Sequence, residues 1–559
     1  MTMFDGFLIA LADLTAPLNL LLLAAGVLAG LLVGAIPGFS ITMAVVIVLP
    51  FTYGMDTTPG LAVMLGVMVG GVSGGLVSAM LLGIPGTPAS IATTFDGLPM
   101  VRSGQQGLAL GLGLWASCIG GFLSGCVLFL VAPPLGRIGL EIGPWGYFSL
   151  ILFALTITAS LSSGNMVKGL IAGCIGLLAT SIGEDQVNGI TRLTFGNSAL
   201  DGGFAYLPIL IGVFAFSQLL ADMPDRASAR RSLSAEGTGD LRIPHRRALR
   251  MVLRHWALTL RSSAIGIFVG VLPAAGASIS NLIAYDQAKK NSKTPERFGK
   301  GSEEGIIAPE SANNATMGGA LMVLVALGIP GDAAAAAVLA ALLVHDVAPS
   351  PTFMSESPDI VYVILLAFVI GHVFVLLLQT VALRIFVRVV GIPIYVLAGV
   401  ILLYTGMGVF AINNTLFDVW TMFLFGIVGY LMVRFGFPLA PLILGTVLGP
   451  IGEVNLMRAM SISSDATLFL SRPWSLLFLV MAALSLLFPL YQARAKQGGW
   501  SYYPALSLAL VAVPLVMMPG LARLSLGCAL AAVALWLAVR AFRSPPSTTK
   551  DVAHGAHHH

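Results

Sequence analysis

The residues most able to do chemistry in this chain lie in and beside two copies of Leu-Gly-Ile-Pro-Gly, at 82–86 and 327–331. Proline removes a backbone donor and clashes with the preceding turn, and glycine adds backbone freedom, so Pro85-Gly86 and Pro330-Gly331 should each interrupt a helix. A second pair has the form Gly-x-x-Pro, ending at Pro37 and Pro273. Small and hydroxyl residues follow each of these: Gly38, Ser40 and Thr42 in the first, Gly276, Ser278, Ser280 and Asn281 in the second. Thr87 and Ser90 follow the first Leu-Gly-Ile-Pro-Gly, and Asp332 follows the second. An interrupted helix frees N–H groups and a positive dipole end that suit a carboxylate, while freed carbonyls and hydroxyls suit a sodium ion. The competing reading is plain packing, with kinks that ease helix contact and hydroxyls that bond back to their own backbone.

Carboxylates and amides extend the set. An isolated Asp332 inside a membrane is costly unless paired or ion-bound, which makes it a candidate for sodium coordination or proton coupling; it would serve equally as the cap of a helix over 333–344. Glu310, Asn313 and Asn314 suit a polar network lining a site, or the cap of a helix starting near Ala315. Asp96 and Arg102 are expected to form a loop ion pair where the chain leaves the membrane. His345 and His372 stand alone, without a second ligand at metal spacing, so structural roles are expected and no transition-metal site. The chain has no HExxH, no Gly-x-Ser-x-Gly with a partnering base, and no GxxxxGK[ST] phosphate loop, which argues against an enzyme or a primary pump.

The elements that must position these residues are membrane helices. Hydrophobic residues make up 57% of the chain and charged residues 10%, against about a quarter charged in soluble domains. The apolar residues come in long blocks, at 18–33, 108–131, 147–160, 205–220, 361–383 and 419–433 among others. Such blocks match the hydrocarbon core in length and lack the alternation of an outer-membrane barrel. The expected fold is an all-α polytopic membrane protein with about a dozen apolar segments. The 64 glycines fit close helix packing. The segment 18–33 has no basic region or cleavage site before it and should be a retained helix. Cys118, Cys126, Cys174 and Cys528 form no CxxC pair, which leaves neither a disulfide framework nor a zinc site. A net charge of +4 is too small to point to nucleic acid.

The two kinds of interruption occur in the same order in each half, which is a repeat at the level of the whole chain. Residues 1–221 form the first transmembrane repeat and 262–491 the second. Between them, 222–261 is an arginine-rich linker, placed in the cytoplasm by the positive-inside rule and expected to be solvated. The basic stretch 287–300 also reads as cytoplasmic, so 265–285 should enter and leave on one side as a hairpin with Pro273 at its tip. Residues 492–543 form an extension with two further transmembrane helices, and 544–559 a disordered tail whose His557, His558 and His559 are set aside from any metal argument. Gly/Pro-interrupted segments at corresponding positions of two halves are the strongest sequence pointer to a transporter binding site.

Three stretches resemble one family. LLVGAIPG at 31–38, GGLVSAMLLGIPGTPASIATTFDG at 74–97 and FGKGSEEGIIAPESANNATMGGALMVLVALGIPG at 298–331 are similar to the large membrane subunit of tripartite tricarboxylate transporters, the TctA family. The resemblance runs from about residue 18 to about residue 491. It implies an elevator-type secondary transporter with two inverted repeats and re-entrant hairpins in the bacterial inner membrane. It also implies a periplasmic solute-binding protein of TctC type, a small membrane subunit of TctB type, and uptake of citrate, other di- or tricarboxylates, or aromatic carboxylates such as terephthalate, driven by Na+ or H+. The resemblance favours a functional role for Glu310, Asn313 and Asn314. On this reading a carboxylate sits between the Pro37 and Pro273 tips, bound with Gly38, Ser40, Thr42, Thr87, Ser90, Gly276, Ser278, Asn313 and Asn314. Cations occupy sites made by Pro85, Gly86, Ser280, Asn281, Glu310, Pro330, Gly331 and Asp332. A homodimer is compatible, no cofactor is implied, and a channel or a membrane-embedded enzyme are the rival readings. The extension after residue 491 departs from the family pattern, and two helices are too few to replace a complete small subunit.

Overall fold

The long apolar blocks fold as helices, the form that satisfies the backbone within one segment where no water is available. The computed structural model describes residues 3–161, 165–185, 187–222, 241–273, 275–389, 394–495, 500 and 502–543. In chain order the helices are α1 (Met3–Leu14), α2 (Pro17–Gly34), α3 (Ile41–Thr52), α4 (Thr57–Leu82), α5 (Ile91–Arg102), α6 (Gln106–Leu161), α7 (Met166–Thr180) and α8 (Tyr206–Ala221). Then come α9 (His245–Arg254), α10 (Trp256–Val271), α11 (Gly276–Asn291), α12 (Glu303–Leu327), α13 (Ala333–Val344) and α14 (Pro358–Val389). The last six are α15 (Ile394–Asn413), α16 (Leu416–Arg434), α17 (Leu439–Ile462), α18 (Pro473–Ala495), α19 (Tyr503–Met517) and α20 (Leu521–Arg543). A two-residue antiparallel hairpin, β1 (Gly183–Glu184) and β2 (Thr191–Arg192), pairs Gly183 with Arg192. Among the described residues, eight helices are long and apolar enough to cross a membrane: α2, α4, α6, α14, α16, α17, α18 and α20. The tail 544–559 and the first part of the linker, 223–240, lie outside the described residues.

Burial sorts these helices. The most apolar window of α4 is enclosed entirely by protein, whereas that of α20 is 11% buried, so α4 is the axis of the molecule and α20 faces outward. The blocks at 108–131 and 147–160 are parts of one helical run, α6, bent at Gly143 (φ +66°, ψ 172°). A 56-residue helix is about 84 Å long at 1.5 Å per residue, more than twice the hydrocarbon thickness. Pro144 disfavours helical backbone at the preceding residue, which sets the bend at Gly143.

Two helix pairs pack backbone on backbone. In α2 and α4, Gly26, Gly30 and Gly34 face the carbonyls of Val63, Val67 and Gly71, while Gly66, Gly70 and Gly74 face those of Leu23, Val27 and Leu31. A Cβ at any of these glycines would fall on the opposing carbonyl oxygen. In α10 and α12, Gly266, Gly270 and Gly319 face the carbonyls of Ala312, Thr316 and Ile267 in the same way. Small residues four apart are the usual means of bringing membrane helices this close. Near their midpoints α4 and α12 are joined by polar bonds: the Ser73 hydroxyl donates to Asn314 Oδ1 (2.8 Å), and Asn313 Nδ2 donates to the Val72 carbonyl (3.5 Å).

The linker is not a plain solvated loop from Leu241 onward. It contains α9, whose Ala248 is buried and packs against the start of α6 at Gly111. The C-terminal helices α19 and α20 pack on each other, and α19 lies along α18. Arg523 ties α20 to the α6 bend through Glu141 (2.6 Å) and lies over the Trp474 ring of α18.

Candidate functional site

The two Leu-Gly-Ile-Pro-Gly copies have one backbone geometry. α4 ends at Gly83 (φ +69°, ψ 15°), and α12 ends at Gly328 (φ +72°, ψ 14°). Only glycine takes this left-handed turn without cost, and the proline two residues on prevents the helix from resuming. The next glycine sits in a tight seat in both copies. A Cβ on Gly86 would meet the Gly34 carbonyl and the Cα of Gly75, and one on Gly331 the Gly270 carbonyl and the Cα of Ala320. Gly34 is the last residue of α2 and Gly270 the last but one of α10, the helices leading into the two Gly-x-x-Pro turns. Each interruption is thus seated against the hairpin of its own half.

Contacts between the halves run crosswise. α11, the returning arm of the second hairpin, packs on the 3-10 turn Pro88–Ser90 of the first interruption. α3, the returning arm of the first hairpin, packs on α13, which follows the second interruption. The first of these contacts is polar. Asn281 Nδ2 donates to the Ala89 carbonyl, and its Oδ1 is fully buried with no hydrogen-bond partner. Beside it the Thr87 and Ser90 hydroxyls pair at 3.1 Å, and Ser90 donates to the Thr87 carbonyl. Ser280, one residue before Asn281, pairs with the Thr316 hydroxyl (2.7 Å) and donates to the Ala277 carbonyl.

Glu310 joins this region from α12. It is fully buried; Thr93 of α5 donates to Oε1 (2.5 Å) and Ser117 of α6 to Oε2 (2.9 Å). Asn314 Nδ2 donates to the Glu310 carbonyl (3.2 Å), and Asn313 Oδ1 is a second buried acceptor without a partner. These residues lie within α12, which starts at Glu303 with Ser302 as its cap, so they do not cap a helix near Ala315. Pro309 lies inside that helix, as its seventh residue.

The remaining candidates have simpler surroundings. Ser40 caps α3 by accepting the Met43 N–H (3.0 Å); Thr42 is buried; Pro37 is half-buried and Gly38 exposed at φ +94°. Pro273 is buried, and Gly276 and Ser278 are half-buried at the start of α11. Pro85 is half-buried and Pro330 buried. Asp332 caps α13, accepting the Ala335 N–H at 2.8 Å. His372 is buried against Gly121 with Nδ1 on the Phe368 carbonyl, and His345 packs on Gly60.

Asp96 is corrected by the structure. It is not an exposed partner in a loop ion pair but a fully buried residue of α5. Its Oδ1 accepts the N–H groups of Gly299 (2.9 Å), Gly301 (2.9 Å) and Ser302 (2.7 Å), and its Oδ2 accepts the Tyr285 hydroxyl (2.9 Å). The α5 helix after the first interruption is thereby tied to the loop that leads into α12. Thr93, Ser117, Ser73, Thr316 and Tyr285 were not singled out by sequence reasoning. Thr93 and Asp96 had a signal, since they extend the three-residue spacing of Thr87 and Ser90 along the chain.

The cluster offers oxygen ligands: hydroxyls, two unpartnered amide oxygens and one carboxylate. Oxygen donors suit hard cations rather than transition metals, and among the described residues no three His, Cys, Asp or Glu side chains group as metal ligands.

Residues 20–444 match the model of the tripartite tricarboxylate transporter TctA family. The chain belongs to that family. It is a membrane-embedded transporter of the bacterial inner membrane, not an enzyme, and proteins of this family work with TctB- and TctC-type partners. It is 33% identical over 462 residues to an uncharacterized 52.8 kDa protein of the TAR-I ttuC' 3' region of Agrobacterium vitis, covering 82% of this chain and 90% of that protein. It is 36% identical over 209 residues to an uncharacterized protein of the TAR-II ttuC' 3' region of the same organism, covering 37% of this chain and 86% of that protein. No solved structure matches the chain. The TctA match ends inside α17, leaving α18, α19 and α20 beyond it.

Proposed function

We propose that this TctA protein is the transport-forming subunit of a secondary carrier that takes up a small organic carboxylate, coupled to Na+ or H+. The observation that carries the reading is the duplicated interruption, with the same left-handed glycine, the same Pro-Gly and the same seat against a hairpin in each half. Alternating access needs two equivalent gates, whereas a channel needs one pore, and duplicated broken helices serve the former.

In this proposal the halves are inverted repeats, and the hairpins, α4, α5, α12 and α13 move as one block against the outer helices in an elevator step. The substrate carboxylate meets the hairpin turns at Pro37, Gly38, Ser40, Thr42, Pro273, Gly276 and Ser278. The coupling cation, as Na+ or as a proton, is held beside Thr87, Ser90, Asn281 and Glu310, a reading supported by the buried, unpartnered Oδ1 of Asn281 and that of Asn313 on the helix that carries Glu310. Neutralising the substrate's charge there lowers the cost of carrying it through the hydrocarbon region. A TctC-type protein delivers the substrate, and a TctB-type subunit completes the membrane part. The basic segments 241–261 and 287–300 face the cytoplasm.

The test is uptake of labelled citrate and terephthalate into proteoliposomes containing this chain and its partner subunits, with and without an inward Na+ gradient. Saturable accumulation that requires the gradient is expected. Flux that neither saturates nor responds to Na+ or H+ gradients overturns the carrier reading in favour of a channel.

A further inference from the structure

The segment from Leu241 to Arg261 contains six arginines, Arg242, Arg246, Arg247, Arg250, Arg254 and Arg261, and no Asp or Glu. Within it α9 buries Ala248 and Val252 against the bundle. Ile243, just before it, reaches Gly111 at the start of α6, and His245 lies against the Trp115 ring at 6.2 Å. The opposite side is exposed, and Arg246, Arg250 and Arg254 lie on it at four-residue intervals, so they form one row along the helix. Glu303 and Glu304, at the start of α12, pair with His255, at 3.8 and 3.6 Å.

A second observation fixes where this row lies relative to the membrane. The chain bends at His255 and α10 begins at Trp256. Trp256, Leu260 and Phe268 are exposed by 63%, 44% and 67%, and their spacing of four and eight residues puts them on one stripe. An apolar stripe on a membrane helix faces lipid, and tryptophan at its end sits at the headgroup level. Leu253, 55% exposed, lies one turn before Trp256. The arginine row is therefore at the depth of the lipid phosphates, with apolar side chains directed at the acyl boundary beside it. That is the composition of a helix lying in the interface plane.

We propose that α9 is a binding surface for anionic phospholipid headgroups, with Arg246, Arg250 and Arg254 as the phosphate contacts and Leu253 and Trp256 as the apolar anchor. The occupant is a lipid because the apolar stripe and the arginine row meet at one level, whereas a soluble polyanion would have no use for Leu253 and Trp256. Because Ala248 and Ile243 seat α9 on the first turns of α6, bound lipid also holds that helix end in place. The proposal is independent of which substrate is carried.

The experiment uses the full chain in detergent, titrated with phosphatidylglycerol or phosphatidylcholine and read by native mass spectrometry for bound lipid. Wild type should retain phosphatidylglycerol in preference to phosphatidylcholine, and about 1 M salt, where the screening length is ~3 Å, should erase the preference. The triple variant R246Q/R250Q/R254Q should lose about fivefold in apparent affinity per arginine, roughly a hundredfold together. R458Q, an exposed arginine on α17, should match wild type. If the triple variant does not fold, R250Q alone should still show the fivefold loss. Equal retention by wild type and variant, or no preference over phosphatidylcholine, each overturns the assignment.

Discussion

After α4 the chain turns at Gly83 and runs through Pro85 and Gly86 into hydroxyls; after α12 it turns at Gly328 and runs through Pro330 and Gly331 into alanines. The backbones agree to within a few degrees at the turning glycine. The side chains do not. One, four, seven and ten positions after Gly86 stand Thr87, Ser90, Thr93 and Asp96, all buried and all hydrogen-bonded. At the same distances after Gly331 stand Asp332, Ala335, Val338 and Ala341, of which only the first is polar, and it caps its own helix. A shared frame thus carries a polar row in one half and an apolar one in the other. The lesson is that a duplicated turn need not duplicate its surroundings: buried, hydrogen-bonded polar groups concentrate after the first interruption, where Asn281 reaches Ala89 and Glu310 reaches Thr93.

The largest expected effects test the shared frame. Gly86→Val and Gly331→Val each drive a side chain into a backbone carbonyl, so each should lower uptake by about a hundredfold, the upper range of an overpacked contact, with membrane insertion unchanged. Full uptake by either variant breaks the symmetry. Next in size is Asp96, which has no polar counterpart after the second interruption. Asp96→Ala leaves four donors without their acceptor, the buried Ser302 N–H among them, and should lower stability by about 3 kcal/mol, with Asp96→Asn roughly half of that, read from thermal unfolding by fluorescence. A loss no greater than that of Ala341→Ser would remove the contrast between the halves. The smallest effect separates capping from charge. Asp332→Ala should cost about 1 kcal/mol, while Asp332→Asn, which still caps, should stay within a few tenths and keep uptake near wild type. An Asn variant that is stable but fails to transport would show that the second interruption has chemistry of its own.

The helical membrane class, the paired interruptions and the family were legible in the sequence because they depend on composition and on glycine and proline, whose effects are local. The crosswise contacts were not, since nothing near Asn281 in the chain announces Ala89. Glu310 was legible as a polar residue in an apolar stretch, but its partners Thr93 and Ser117 lie 217 and 193 positions away. The polar run Glu310, Asn313 and Asn314 misled the reading of where α12 begins, and the proximity of Asp96 to Arg102 in the chain misled the reading of its partner. Both errors have one cause: neighbours in sequence were weighed where the decisive contacts are distant. The helix in the linker was missed because arginine is equally at home in a solvated loop and on one face of a helix, and only Ala248 and Val252 distinguish the two.

The interlocked glycines of α2 and α4 also determine how force can pass through the molecule. Each gap on one helix is filled by a carbonyl of the other, at four-residue intervals, like the teeth of a rack. A slip by one residue would push a side chain into a carbonyl, and the next seat is a full four-residue step, about 6 Å away. The seats leave little room to slide, so a pull on the N-terminal end of either helix is passed on to the turns of Pro37 and Pro85.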